Sequence, residues 1–388
     1  MKKLIYMAFL LMPLAGFSQN FSEVFSQIEK NNTTLKALRE EMNAAVTAAH
    51  TGNAPSDPEV DFGYLWGTPK DQGNRVDLDV TQTFDFPTAY VYRKRIADGV
   101  SDAARSQYDE NRRQILLQAN AACVEIVYRN MLSSVLYGCL YNAQGISDAW
   151  SRKAGEGDAT ALDVNKADLN LRKSRKAFDE NEIEKEALLH ELRRLNGGED
   201  ISVNSSEYMP VSFPSDFESW YASAQIPSIA SLESESDVAQ TDIRLQTSGW
   251  LPKFSIGYVS ERIAGTTLQG VHAGISIPLW ENHGKVRAAK ASAEAAKARL
   301  EDSRLQMHDS LKILWEKGMK LQKVVSEYEA MLKETRSIDL LTKALDLGEI
   351  SLLDYLMEQD LWIDALQDLL SSQRDLQLIA AELASYSK

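Results

Sequence analysis

Four short segments of the chain alternate apolar and polar residues. Successive side chains of a strand point to opposite faces of a sheet, so this alternation predicts strands with one apolar and one polar face. The segments pair into two hairpins, at about 58–87 and about 252–278. Their alternating apolar residues are Val60, Phe62, Tyr64 and Trp66; Val76, Leu78 and Val80; Phe254, Ile256 and Tyr258; and Val271, Ala273, Ile275 and Ile277.

Each predicted hairpin is followed by a long stretch of helical composition. Residues 88–209 and 279–388 contain no proline and are rich in Ala, Leu, Glu, Lys, Arg and Gln, which favours very long helices. Proline suits the first turn of a helix, so Pro87 and Pro278 are predicted to mark the junctions where a return strand passes into a helix.

A coiled-coil seam is predicted within the second long helix. Its apolar residues follow alternating 3- and 4-residue steps, and Gly318 fills one place of the pattern. The seam residues are Met307, Leu311, Leu314, Leu321, Val325, Tyr328 and Leu332.

The same short motif follows each long helix. The sequences GDATALD (157–163) and GEISLLD (348–354) each place a hydroxyl residue three positions after the glycine and an aspartate six positions after it. Glycine allows a helix to end, and Thr160 or Ser351 can cap the next one. Each motif is therefore predicted to be the turn between two long antiparallel helices, with returning helices at about 160–195 and 351–387.

The matching motifs belong to a duplication of the whole chain. Pro58 matches Pro252 at an offset of 194, and Gly157 matches Gly348 at an offset of 191. So large a unit indicates a duplicated domain. The first repeat is predicted at 19–210, with its helical hairpin at 88–196, and the second at 211–388, with its helical hairpin at 279–387. The predicted fold class is α+β, mostly α, built from a tandem-duplicated unit of a long coiled-coil helical hairpin and a β-hairpin.

The first residues predict export. Residues 1–18 combine two lysines, an apolar run and small residues, which is typical of a cleavable signal peptide. No later stretch has the roughly 18 uninterrupted apolar residues of a membrane-spanning helix. A formal net charge of −14 argues against binding to nucleic acid or to an anionic membrane surface.

Membrane insertion of such a chain would have to use its strands. Four strands cannot close a barrel, and open edges leave backbone groups unsatisfied in lipid. Three chains would supply twelve strands and close the sheet. The sequence therefore predicts a homotrimer.

No catalytic chemistry is apparent. The sequence has no nucleophile–base pair and no phosphate-binding loop, and its histidines show no i,i+3 or i,i+4 pairing. Cys123 and Cys139 lie about 24 Å apart by helical rise, too far for a disulfide, and are predicted to be unpaired. We expect a protein that is not an enzyme, with no cofactor and no metal site.

The order of elements, the junctions FDFP and ISIP and the two tip motifs resemble the TolC-like outer-membrane efflux proteins over roughly residues 20–387. The resemblance implies a trimeric twelve-stranded β-barrel in the outer membrane, continued by a periplasmic α-helical barrel. It implies contact with outer-membrane lipid, and partners in a periplasmic adaptor (membrane fusion protein) and an inner-membrane pump of RND or ABC type. The implied function is the passive exit duct of a tripartite efflux pump.

The same resemblance implies roles for the tip residues. Asp354 matches an aspartate that constricts the periplasmic entrance in the family, and Asp163 is its first-repeat counterpart. A second family aspartate is Met357 here, with Glu358 beside it. An adaptor is expected to dock at Gly157, Thr160, Leu162, Gly348, Ser351 and Leu353.

Simpler interpretations remain open for the tip acids. Asp163 and Asp354 also suit the first turn of a helix, where a carboxylate favours the helix dipole. Asp158 and Glu349, directly after the turn glycines, are either part of the gate or simply solvated.

Three other functions stay open for the chain. The first is the outer-membrane duct of a type I protein secretion system. The others are a periplasmic adaptor and a coiled-coil scaffold, although two helical hairpins and the alternating strand pairs fit these two poorly.

Overall fold

The computed structural model describes residues 21–69, 73–334 and 337–387, so the predicted signal peptide at 1–18 lies outside the described residues. The chain forms two compact units, each of which draws on both predicted repeats. The first comprises Met1–Thr34, Arg113–Gln225 and His308–Lys388, and the second comprises Leu35–Arg112 and Ile226–Met307. The repeat boundaries themselves stay a prediction.

The elements follow the predicted order. The helices are α1 (Ser22–Asn31), α2 (Thr33–Ala49), α3 (Pro87–Glu156), α4 (Ala161–Leu195), α5 (Phe217–Ser223), α6 (Pro227–Ser248), α7 (Lys285–Glu334), α8 (Ser337–Asp346) and α9 (Leu352–Ala384). The strands are β1 (Glu59–Leu65), β2 (Arg75–Phe84), β3 (Lys253–Ile263) and β4 (Thr266–Ser276). None of the helices in the described ranges is both long enough and apolar enough to cross a membrane.

The four strands form one antiparallel sheet in the second unit, in the order β1-β2-β3-β4. Opposed residues share a face, and the register places the alternating apolar residues together. On this apolar face Val60 lies opposite Val80, and Val80 lies opposite Tyr258. Many of its side chains are exposed, among them Phe62 at 69% and Val271 at 83%. The predicted strands and their apolar face are confirmed.

The two junction prolines differ. Pro87 is the first residue of α3, as predicted. The prediction that a helix begins at Pro278 was wrong, because α7 begins only at Lys285. Asn282, which is buried, donates its side-chain amide to the Gly249 carbonyl and accepts a hydrogen bond from the Lys285 side chain at 3.0 Å. These contacts hold a turn between β4 and α7 that the first repeat lacks.

The C-terminal half of the predicted coiled-coil seam of α7 packs in the first unit. Val325, with Leu321, Tyr328 and Leu332 beside it, joins a cluster that includes Leu369, Leu376 and Ala380 of α9. The glycine in the seam has a steric cause. A Cβ at Gly318 would lie 2.6 Å from the Phe213 ring and 3.0 Å from Ile379.

We expect Gly318→Val to destabilise the first unit by about 1–3 kcal/mol, because an overpacked core forces side chains and backbone to shift. Thermal unfolding followed by circular dichroism checks this. Gly155→Val is the matched control, because a Cβ there meets no atom within 4 Å. Equal melting temperatures for the two variants would contradict the steric explanation.

A second apolar cluster in the first unit surrounds α3. Cys123, Ile126 and Val127 are fully buried against Ile28 and Leu192. Burial raises the pKa of the Cys123 thiol to about 12, so the side chain packs as an apolar group. Both cysteines are unpaired, as predicted.

Candidate functional site at the helical tips

The first tip turn is built by Gly157 and Thr160. Gly157 has φ +88°, a backbone conformation that residues with a Cβ rarely adopt. Its N–H donates to Ala154 at 3.2 Å, and the Asp158 N–H donates to Lys153 at 2.8 Å. This pair of bonds closes the end of α3 as a Schellman motif.

A capping box then begins α4. The Asp163 N–H donates to the Thr160 hydroxyl oxygen at 3.2 Å, and Asp163 Oδ2 accepts the Thr160 hydroxyl at 2.6 Å and the Thr160 N–H at 3.4 Å. Hydroxyl and carboxylate thus satisfy each other's backbone N–H groups, which have no partner within the helix.

The second tip repeats this geometry. Gly348 has φ +73°, and its N–H donates to Leu345 at 3.1 Å while the Glu349 N–H donates to Ala344 at 2.8 Å. Asp354 Oδ2 accepts the Ser351 hydroxyl at 2.6 Å and the Ser351 N–H at 3.3 Å, and the Asp354 N–H donates to Ser351 Oγ at 3.2 Å. The predicted turns and caps are confirmed, and both aspartates are first-turn residues of their helices.

The two aspartates differ in their surroundings. Lys166 Nζ lies 3.6 Å from Asp163 Oδ1. The hydrogen bond from the Thr160 hydroxyl, together with Lys166, lowers the pKa of the Asp163 carboxyl below its usual value. Asp354 takes part in no salt bridge within residues 21–69, 73–334 and 337–387. Its charge is therefore the less compensated of the two.

Apolar side chains are exposed beside both caps. Leu162 is 63% exposed and Leu353 is 50% exposed, at matching positions of the two first turns. Met357, where the resemblance implies a second aspartate, is 64% exposed. Glu349, Asp158 and Glu358 are exposed too. Each tip thus combines solvated carboxylates with an uncovered leucine.

The predicted sites fall into separate parts of the fold. All the tip residues belong to the first unit, whereas Pro87 and Pro278 belong to the second. Sequence reasoning missed one contact near the tips, between Lys173 of α4 and Asp360 of α9. The Lys173 ammonium lies 2.8 Å from both carboxylate oxygens of Asp360. The two residues are 187 positions apart, and no periodicity connects them.

Solved outer-membrane channels share this fold. The CmeC outer membrane channel of Campylobacter jejuni is 16% identical, with a TM-score of 0.75 over 95% of this chain and 87% of that one. The outer membrane protein VceC of Vibrio cholerae is 13% identical, with a TM-score of 0.75 over 94% of this chain and 96% of that one. CusC, whose structures describe transmembrane channel formation, is 16% identical, with a TM-score of 0.75 over 98% and 96%.

The chain therefore has the fold of outer-membrane channel proteins. At the level of the fold, the resemblance to the TolC-like outer-membrane efflux proteins is confirmed. Comparison of the sequence with known protein families gave no match, and comparison with curated proteins gave none.

Proposed function

We propose that this protein is the outer-membrane exit duct of a tripartite efflux pump, a passive conduit and not an enzyme. One observation carries the proposal. The sheet exposes a broad apolar face, which suits contact with outer-membrane lipid. Its opposite face, called the polar face, carries every charged residue of the strands except Arg262, beside the apolar residues Leu65, Val259, Ile263 and Leu268. The shared fold of CmeC and VceC, both outer-membrane proteins, supports the same conclusion.

Closure of the sheet requires further copies of the chain. β1 and β4 are edge strands, and their outward backbone groups need partners in lipid. In a homotrimer each β1 pairs with β4 of a neighbour, which gives a twelve-stranded barrel in the outer membrane. The helical hairpins then form the periplasmic tunnel.

We expect the purified protein to be a trimer. Chemical crosslinking in outer-membrane fractions should progress to trimer and stop there, and the detergent-extracted protein should have three times the chain mass. The barrel should migrate differently on a gel before and after heating. Crosslinking that stops at dimer, or a stable monomer in detergent, would refute closure by three chains.

The tips are the proposed docking site for a periplasmic adaptor, with an inner-membrane pump beyond it. Two turns of the same geometry, each with an exposed leucine beside the cap, offer apolar contact to helices of a partner. The geometry is equally compatible with the duct of a type I protein secretion system, and the neighbouring pump and adaptor genes would distinguish the two systems. A periplasmic adaptor or scaffold gives no role to an exposed apolar sheet face.

A further inference from the structure

Charged residues of the sheet are divided unequally between its two faces. The strand register places five carboxylates on the polar face, together with two basic side chains. Within the strands, the apolar face carries one charged residue, Arg262. The polar-face carboxylates are Glu59, Asp61, Asp77, Asp79 and Glu261, and the basic residues are Arg75 and Lys253.

The charge on this face is only partly neutralised. Arg75 Nε lies 2.8 Å from Asp77 and 3.0 Å from Glu261, so these carboxylates share one guanidinium. Asp61 and Asp79 lie directly opposite each other in the register and take part in no ion pair within the described residues. Like charges at opposed positions destabilise a sheet. Packing and pairing therefore do not account for this pair of aspartates.

A series of hydrogen bonds that joins β2 to β4 above the intervening β3 positions Asp79. The Thr81 hydroxyl donates to Asp79 Oδ1 at 2.7 Å, and Thr81 Oγ1 lies 3.2 Å from Nε2 of His272 on β4. Since the one hydroxyl hydrogen goes to Asp79, His272 Nε2–H donates to Thr81. Gly257 on β3 leaves room for this contact, because a Cβ there would lie 2.4 Å from His272 Cε1.

We propose that this polar face makes the barrel end of the duct selective for cations, so that the cargo is cationic or neutral and anionic cargo is hindered. The inference rests on the proposed function, because the face lines a lumen only when the sheet closes. The five carboxylates and two basic residues of each chain then give this face a net charge of −3, and threefold symmetry triples it. Walls of low dielectric constant concentrate this potential, which raises the local concentration of cations.

The test is the ratio of potassium to chloride permeability, measured from the reversal potential of trimers in planar bilayers across a salt gradient. We expect a ratio above one for the wild type. The double variant Asp61→Asn/Asp79→Asn should lower the ratio at least about twofold, because two of the three net charges per chain are lost. The asparagine introduced by Asp79→Asn keeps a side-chain oxygen that accepts the Thr81 hydroxyl.

Two controls separate charge from structure. Arg262→Gln removes a charge from the apolar face and should leave the ratio unchanged. Asp61→Asn alone leaves the hydrogen bonds that link Asp79, Thr81 and His272 intact. It is therefore the variant to measure if the double variant fails to give heat-modifiable trimers. If the trimers conduct but the permeability ratio is the same in the wild type and in the Asn variants, the inference is overturned. The proposed function as a duct is unaffected by that result. Wild-type trimers that do not conduct would overturn the proposed function itself.

Discussion

Replacement of Gly348 by valine is expected to abolish export while trimers still reach the outer membrane. Gly348 has φ +73°, and this left-handed conformation costs an L-residue roughly 1–2 kcal/mol, with β-branched residues the worst suited. A Cβ at this position meets no atom within 4 Å, so the change strains the turn without a clash. The first turn of α9, with Ser351 and Leu353, would then be displaced from its docking geometry.

Two control variants distinguish turn geometry from added bulk. Gly348→Asn also adds a side chain, but asparagine tolerates the left-handed conformation, so it should retain most of the export. Gly155→Val adds the same bulk within α3, before the first tip turn, and should export normally. Export is measured as cargo released by cells that lack the native duct, with trimers quantified in outer-membrane fractions. Unchanged export by the Gly348→Val variant would show that Gly348 is not part of the docking site.

Much of the architecture follows from local sequence signals. Alternation of apolar residues predicts the strands because a sheet buries or exposes every second side chain. The tip motifs predict the turns because glycine, hydroxyl and carboxylate act within six residues of one another. Each of these signals occurs twice in the sequence, so each prediction rests on two separate segments.

Features that depend on contacts between distant residues could not be predicted from the sequence. The start of α7 at Lys285, and not at Pro278, reflects the bond from Asn282 to Gly249, 33 positions away. Gly318 fits the seam pattern as a gap, but only the structure places the Phe213 ring against it. The charges of the polar face could be placed together only once the pairing of β2 with β3 was known, because this pairing joins the two hairpins into one sheet.

The carboxylates at the helical tips are expected to favour cations at the entrance of the duct. In a trimer Asp354 would occur three times around one axis, and such a ring attracts cations and hinders anions at the entrance. We expect Asp354→Asn to lower the potassium-to-chloride permeability ratio. Adding Asp163→Asn should lower it further but by less, because Lys166 lies 3.6 Å from Asp163 and offsets part of its charge.

Helix capping must survive these changes if the result is to report on charge. Asparagine keeps a side-chain oxygen that accepts the Ser351 N–H, so α9 should begin at the same residue and trimers should assemble. Met357→Asp provides the opposite change: Met357 is 64% exposed, and an added carboxylate there should raise the ratio. Reversal potentials are compared across one salt gradient for the wild type and the three variants. Identical potentials would leave Asp354 as a capping-box residue alone.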